Sequence, residues 1–300
     1  MLRIIIPTLN AAEDWPHFAP AVLAAAEPSQ VLVLDSESTD GTPELARTAG
    51  FAVRTIRRKD FNHGGTRQLA AEISPDAEIL VYLTQDAVLS APETLANLVR
   101  PLEDIRVGAV CGRQLPRPGA GEIEAHLREF NYPTQSHVRS LADCAHLGIK
   151  ATFLSNSLAA YRRSALMEVG GFPLQVIFGE DAYVAGRMLL AGYSIAYTAD
   201  ACVFHSHAYT IAEEFRRYFD IGVMHNRERW LLEKFGSASG EGKRFVVEQM
   251  RYLWKRRPVL IPSALMRVAV KLTAYRLGRM EASIPLNLKK RLSMHSRYWQ

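Results

Sequence analysis

Hydrophobic residues in the first third of the chain fall in short runs bounded by polar or turn-forming residues. Arg3 to Ile6, Val31 to Leu34, Ala52 to Ile56 and Ile79 to Thr84 are each too short for a buried helix and read as strands. Between them lie stretches of helical character: 15–26, then Pro43 to Ala49 closed by Gly50, then Thr66 to Ile73 with Thr66 as candidate cap. Strands that alternate with helices predict a mostly parallel sheet covered on both faces. In such sheets ligands bind beyond the carboxyl ends of the strands. Those ends carry Pro7-Thr8-Leu9-Asn10, Asp35 and Asp86.

The middle of the chain is less regular. It reads as a strand at 107–113, a polar Pro/Gly-rich loop, a segment at 150–161 and a helix at 181–191 ended by Gly192. Tyr193 to Tyr197 reads as an edge strand. Beyond residue 208 the apolar spacing turns helical over 211–235 and 243–257, with Val246, Met250 and Leu253 on one face. The pattern predicts a sheet domain over 1–210 and a helical region over 211–300, with Gly236 to Gly242 as a flexible joint.

With 48% hydrophobic and 22% charged residues, the chain is an ordinary globular protein, and disorder, collagen-like fibres and low-complexity arrays are excluded. Cys111, Cys144 and Cys202 are too few and odd in number for a disulfide scaffold, which fits a reducing cytoplasm. No apolar run approaches the roughly 18 residues of a membrane span, and the N-terminus lacks the features of a signal peptide. The expectation is a soluble or peripheral protein that stays inside the cell. The net charge of +5 is unevenly spread: residues 244–300 hold 13 Lys/Arg against 2 Asp/Glu. A basic end on a mildly acidic body points to an anionic partner: nucleic acid, a phospholipid surface or an anionic substrate.

Four segments carry candidate chemistry. Asp35, followed by Ser38, Asp40 and Thr42, can accept a hydrogen bond from a base N–H or ribose hydroxyl; it serves equally as an Asx turn capping the next helix. Phe61-Asn62-His63-Gly64-Gly65-Thr66-Arg67 places two glycines before a helix, where the backbone can approach an anion and Arg67 can fork onto a phosphate; alone it is an ordinary glycine turn. Asp86, after the strand Ile79 to Leu83, can bind a divalent cation that holds a diphosphate, or simply cap a loop. Gly179-Glu180-Asp181 opens a helix. A carboxylate there can act as general base, or the two acids can answer the helix dipole. His205 and His207 sit at alternate positions of an extended segment, point the same way, and can complete a metal site, or serve as ordinary surface or core histidines. No G-x-S-x-G, H-E-x-x-H or C-x-x-C motif occurs.

Taken in order, IIIPTLN, VLVLDSESTDGT, LTQDA and GED resemble the motifs of the family 2 glycosyltransferases over roughly residues 2–210. FNHGGTRQLA before TQDA, and HSH followed by RRYFDIGVMHNRE, resemble the bacterial rhamnosyltransferase branch. The resemblance implies a GT-A fold, a mixed Rossmann-like sheet flanked by helices, with a helical extension. It implies inverting transfer of L-rhamnose from dTDP-L-rhamnose onto a lipid-linked or polysaccharide acceptor in cell-envelope synthesis, with a UDP- or GDP-sugar as the alternative donor. It further implies Asp181 as catalytic base and Asp86, with His205 or His207, as ligands of Mg²⁺ or Mn²⁺. Gln85 departs from the usual two-acid metal motif. Nucleotide-sugar contacts fall on Pro7, Thr8, Asn10, Asp35, Ser38, Asp40, His63, Gly64, Arg67, Gln85, Glu180, Arg216 and Arg217.

The basic end fits a peripheral position at the inner face of the bacterial membrane. There Arg251, Lys255, Arg256, Arg257, Arg267, Lys271 and Arg279, interleaved with Trp254, Leu260, Ile261, Leu265 and Leu272, would rest on anionic lipid. A non-catalytic nucleotide-binding module leaves Asp86 and Asp181 without a purpose. A nucleic-acid binder is disfavoured because no recognised motif accompanies the charge.

Overall fold

The computed structural model describes residues 1–237 and 240–299. Nine strands form one sheet among the described residues: β1 (Leu2–Thr8), β2 (Val31–Asp35), β3 (Ala52–Thr55), β4 (Ile79–Leu83), β5 (Val88–Leu89), β6 (Val107–Leu115), β7 (His137–Arg139), β8 (Leu158–Arg162) and β9 (Ser194–Phe204). Their order is β3-β2-β1-β4-β8-β6-β9-β5, with β7 also on β9.

The sheet is mixed rather than mostly parallel. Strands β3, β2, β1 and β4 run parallel, as do β6 and β9, while β8 enters antiparallel between β4 and β6. The reversal comes from the long excursion between β4 and β8, which leaves no trace in the apolar pattern of either strand. The 193–197 segment is not an edge. It opens β9, which pairs with β6 on one side and with β7 and β5 on the other.

Strand alternation divides the core into two layers. Ile4 and Ile6 pack with Phe18, Val22 and Val33 under the helix Trp15–Ala25, whereas Ile5 faces Leu34, Tyr82, Tyr161 and Phe172 on the other side. The second layer continues into Phe219, Val223, Ala274 and Trp299, so the C-terminal helices share the core of the sheet. Their crossing is very close. A Cβ on Gly278 would lie 2.1 Å from the Phe219 carbonyl oxygen, and one on Gly222 would lie 2.3 Å from that of Tyr275. Only glycine lets the helices Ile211–Arg227 and Ile261–Arg279 approach this far. The expected joint at Gly236 to Gly242 includes Ala238 and Ser239, which lie outside the described residues.

Register then gathers the strand ends. Thr8 pairs with Asp35, and Leu115 with Phe204, so the loops after β1 and β2 meet at one place and those after β6 and β9 at another. Because β8 runs backwards beside β4, the residues preceding it stand near the carboxyl end of β4.

Candidate active site

These ends enclose a cavity of about 700 Å³. Of the expected residues, Pro7, Thr8, His63, Arg67, Gln85, Asp86, Glu180, Asp181, His205, His207 and Arg217 line it. Asn10, Asp35, Ser38, Asp40, Gly64 and Arg216 do not.

Asp35 is buried behind Thr8. Its carboxylate accepts from Thr8 Oγ1 (3.0 Å), Ser38 Oγ (2.5 Å) and Ser38 N–H (2.9 Å). It therefore positions the β1 wall instead of facing the cavity. Asn10 accepts from Thr39 N–H (2.9 Å), Asn10 N–H donates to Ser38 Oγ (2.8 Å), and Asp40 accepts from Ala12 N–H and the Thr42 hydroxyl. These side chains tie two loops together. Gln85 closes the same wall. Its carbonyl oxygen accepts from Leu9 N–H (2.7 Å) and its amide donates to the Leu9 carbonyl (3.1 Å). Only a side chain that both donates and accepts can clasp a peptide in this way, which a carboxylate cannot. That gives a physical reason for glutamine at this position.

The glycine turn serves packing. A Cβ on Gly64 would fall 1.8 Å from the Pro173 carbonyl oxygen, so the space expected for an anion is filled by protein. The cap of the helix His63–Glu72 is Asn62, whose side chain accepts from Gly65 N–H (2.5 Å), not Thr66, which is buried inside the helix. Arg67, expected to fork onto phosphate, is buried and engages Glu180 (3.1 Å) and the His63 carbonyl (2.9 Å). Arg216 is exposed on the outside of its helix.

The sequence brings Asp86, His205 and His207 together across more than a hundred residues. Their ligand atoms lie within 4.8 Å of one another, with Nε2 of His205 at 3.3 Å and Nε2 of His207 at 3.5 Å from Asp86 Oδ2. Gln114 orients the first imidazole. Its Oε1 accepts from Arg128 Nη1 (2.6 Å), a group that can only donate, so this atom is the carbonyl oxygen and Nδ1–H of His205 donates to it (3.0 Å). Nε2 is left facing Asp86, where either a proton or a cation can lie between them. Burial alone would raise the Asp86 pKa, but the hydrogen bond and charge of His205, with His207, outweigh it and hold the carboxylate well below its usual range. Burial and the neighbouring His205 push His207 down to about 4, so its imidazole is neutral near pH 7 with a lone pair available. One carboxylate oxygen and two imidazole nitrogens, already oriented, fit a divalent cation and leave further positions for a ligand.

Glu180 and Asp181 open the helix Glu180–Leu190 and divide their roles. Glu180 pairs with Arg67 and accepts from the Asn156 side-chain amide (2.9 Å); Tyr161 fixes that amide by donating to Asn156 Oδ1 (2.6 Å). Burial opposes its ionisation, yet Arg67 and His63 hold its pKa below the ordinary value. Among the described residues, Asp181 accepts only from Asn156 N–H (3.3 Å) and Ala182 N–H (2.8 Å). Burial and the adjacent Glu180 charge push it up to about 7. The result is one fixed anion beside one carboxyl that exchanges a proton near neutrality, the condition for a general base.

The remaining wall comes from the C-terminal helices. Arg217 lies over the Phe178 ring (4.8 Å), and Lys271 pairs with Glu214 (3.0 Å) beside Arg267 (3.0 Å). Sequence reading missed Gln114, Arg128 and Asn156, and set Lys271 against lipid rather than in the cavity wall. Gln114 carried a usable signal, a polar residue at the carboxyl end of a strand, the same one that marked Asp35 and Asp86. Lys271, inside the helix Ile261–Arg279, carried no sign that it would turn to the cavity.

The sequence model of glycosyl transferase family 2 matches residues 3–170. The chain belongs to this family. This family 2 transferase is 45% identical over 300 residues to the O-antigen chain rhamnosyltransferase RfbN of Salmonella typhimurium strain LT2, spanning 99% of this chain and 96% of that protein. It is 43% identical to the O-antigen chain rhamnosyltransferase WbaN of Salmonella anatum, over 99% and 95% of the two chains. Among solved structures, the mannosyltransferase PcManGT of Pyrobaculum calidifontis, in complex with GDP-Man and Mn²⁺, matches with a TM-score of 0.57 at 23% identity, over 99% of this chain and 84% of that one. Residues 1–349 of S. aureus TarS match with a TM-score of 0.54 at 14% identity, over 94% and 90%. These likenesses show the shared GT-A fold of this glycosyltransferase.

Proposed function

We propose that this enzyme transfers L-rhamnose from dTDP-L-rhamnose to a lipid-linked glycan acceptor in cell-envelope polysaccharide synthesis, with inversion at the anomeric carbon. The whole-length similarity to two O-antigen rhamnosyltransferases supports the sugar and the setting. The observation that carries the chemistry is a proton-accepting carboxyl, Asp181, in the same cavity as the cation-fitting set Asp86, His205 and His207.

Asp181 takes the proton of the acceptor hydroxyl as its oxygen bonds to the anomeric carbon and the bond from that carbon to the diphosphate breaks. Arg67 keeps Glu180 ionised, and Asn156 holds both acids in place. Thr8, set by Asp35, and the Gln85 clasp shape the nucleoside wall. Asp86, His205 and His207 would hold a divalent cation, which when bound stabilises charge on the leaving diphosphate. Two imidazoles favour Mn²⁺ over Mg²⁺, since magnesium prefers an all-oxygen shell.

We place the enzyme peripherally at the inner face of the membrane. No helix among the described residues is long and apolar enough to cross it. Arg267 and Lys271, expected to face lipid, turn inward to Glu214. The outward corner is Trp254 and Val259, 72% and 75% exposed, beside Arg251, Lys255, Arg256 and Arg257.

Calorimetric titration with dTDP, UDP and GDP, with and without Mn²⁺, tests the reading. Metal-assisted preference for dTDP is expected. A preference for UDP or GDP would discard the rhamnose donor, and absence of any nucleotide binding would overturn the transferase site.

A further inference from the structure

The three cation-fitting side chains stand on two separate stretches of backbone. Asp86 follows β4, whereas His205 and His207 follow β9. The pairing of Val88 with Phe204 brings these stretches side by side, but it ends two residues short of Asp86 and one short of His205. Gln114 then turns the His205 ring through its side chain. The separation of the two backbones is a different matter.

Arg117 spans that separation. Its Nη2 donates to the Asp86 carbonyl (2.6 Å), its backbone N–H donates to Ser206 Oγ (3.0 Å), and its Nη1 pairs with Asp14 (3.5 Å). Ser206 is buried and stands between the two histidines. One residue thus touches the loop after β1, the peptide of Asp86 and the segment that carries both imidazoles.

The local sequence fixes Arg117 in this place. It follows β6, whose last residue, Leu115, accepts from His205 N–H (3.0 Å). Pro116 and Pro118 flank it. Proline offers no N–H and restricts both its own backbone and that of the residue before it. Arg117 therefore carries the one backbone donor between Leu115 and Gly119, and that donor goes to Ser206. Ala120 N–H closes a tight turn onto the Arg117 carbonyl (3.0 Å), with Pro118 and Gly119 (φ +83°) at its two central positions. The backbone is set on both sides, so only the side chain has to be ordered. A guanidinium carries its donors in a rigid fork and can serve a carbonyl and a carboxylate together, and Asp14 offsets its charge.

We infer that Arg117 is a positioning residue for the cation site, holding the Asp86 peptide and the His205–His207 segment at the separation where one ion meets all three side chains. The inference rests on the reading of Asp86, His205 and His207 as cation ligands. Arg117 acts through the backbones that carry those ligands and is not one of them, since a guanidinium has no lone pair for a cation.

The test is Mn²⁺ titration of the full chain, followed by electron paramagnetic resonance, on Arg117→Ala, Arg117→Lys and Ser206→Ala. Arg117→Ala should weaken Mn²⁺ binding by about tenfold or more, the range found for groups that orient metal ligands. Arg117→Lys should recover part of that loss, because an ammonium can still donate to the Asp86 carbonyl but lacks the fork. Ser206→Ala should weaken binding by a smaller factor. The nitrogen signals of the His205 and His207 rings in the metal-free chain, read by nuclear magnetic resonance, should shift in Arg117→Ala. If the native chain and Arg117→Ala bind Mn²⁺ equally, whatever the change in melting temperature, the inference is overturned and the cation reading stands. If the native chain binds no Mn²⁺, the cation reading fails and the ring signals decide: a shift in Arg117→Ala supports Arg117 as the tie between Asp86 and the imidazoles, and unchanged signals overturn it too. If Arg117→Ala does not fold, Arg117→Lys and Ser206→Ala carry the test by the same criteria.

Discussion

Nδ1 of His205 lies 3.0 Å from the side-chain oxygen of Gln114, and this bond turns the other ring nitrogen to Asp86. Gln114→Leu should leave Asp86, His205 and His207 in place but release the His205 imidazole. Partners of this kind are typically worth about 10- to 100-fold in metal affinity. Titration with Mn²⁺ followed by electron paramagnetic resonance should show that loss in Gln114→Leu. Unchanged affinity would mean that His205 is oriented by something else or does not bind the ion.

On the proposed mechanism, Asp181 governs the pH dependence. Its carboxyl must be ionised to accept a proton, and burial beside Glu180 raises its pKa to about 7. The rate should therefore climb as pH rises through neutrality and then level off. Asp181→Asn should lower kcat by about 10²- to 10⁴-fold, abolish that rise and preserve nucleotide affinity. The stability effect has the opposite slope. The folded form holds a proton that the unfolded chain, with an ordinary value of 3.8, has already released, so this group's contribution to stability declines as pH rises from about 4 to 7. Thermal melts of the native chain and the Asn variant across that range check the sign.

Gln85→Glu is nearly isosteric, yet it removes the donor to the Leu9 carbonyl and sets a carboxylate against that oxygen. The loss of one partly buried bond and the repulsion should cost about 1–3 kcal/mol in chemical denaturation. Nucleoside affinity should fall with it, because the clasp closes the cavity wall that carries Thr8 and Leu9. Equal stability would show that the clasp is dispensable.

Gly278→Ala tests how far the C-terminal helices are bound to the catalytic part. The added Cβ would meet the Phe219 carbonyl oxygen at 2.1 Å, and neither backbone can yield without separating the helices. Overpacking of this kind costs about 1–3 kcal/mol. Separation would also move Arg217 and Lys271 in the cavity wall, so the rate of transfer should fall along with stability.

Trp254→Glu places a negative charge at the most exposed corner of the basic region. Sedimentation with anionic vesicles at low salt should show weaker association than the native chain, while nucleotide binding stays the same. Equal sedimentation would mean that another surface meets the lipid.

Much of the first half was legible in the sequence. Short apolar runs separated by helical stretches identify β1 to β4 and the helices between them, because strand and helix periods differ locally. Polar residues at strand ends marked Thr8, Asp35 and Asp86, and the alternate spacing of His205 and His207 marked a pair facing one way. Asp181 drew attention as an acid opening a helix. These are local signals, set by neighbours a few residues away.

What the sequence could not carry is which groups are already engaged. Arg67 looked free to bind phosphate until the fold brought Glu180 to it, and Gly64 looked like an opening until Pro173 filled the space. Asp181 and Glu180 are neighbouring acids of similar intrinsic acidity. Only the arrival of Arg67 and the Asn156 side-chain amide at Glu180 holds one acid ionised and leaves the other to take up a proton near neutrality. The antiparallel entry of β8, which delivers Asn156, and the pairing of β6 with β9, which sets Gln114 against His205, join segments tens to about a hundred residues apart. Chain order determined which chemical groups are present and roughly where each strand would end. Burial and long-range pairing decided their charge, orientation and purpose, because desolvation and Coulomb interactions depend on the distances that only the folded chain sets.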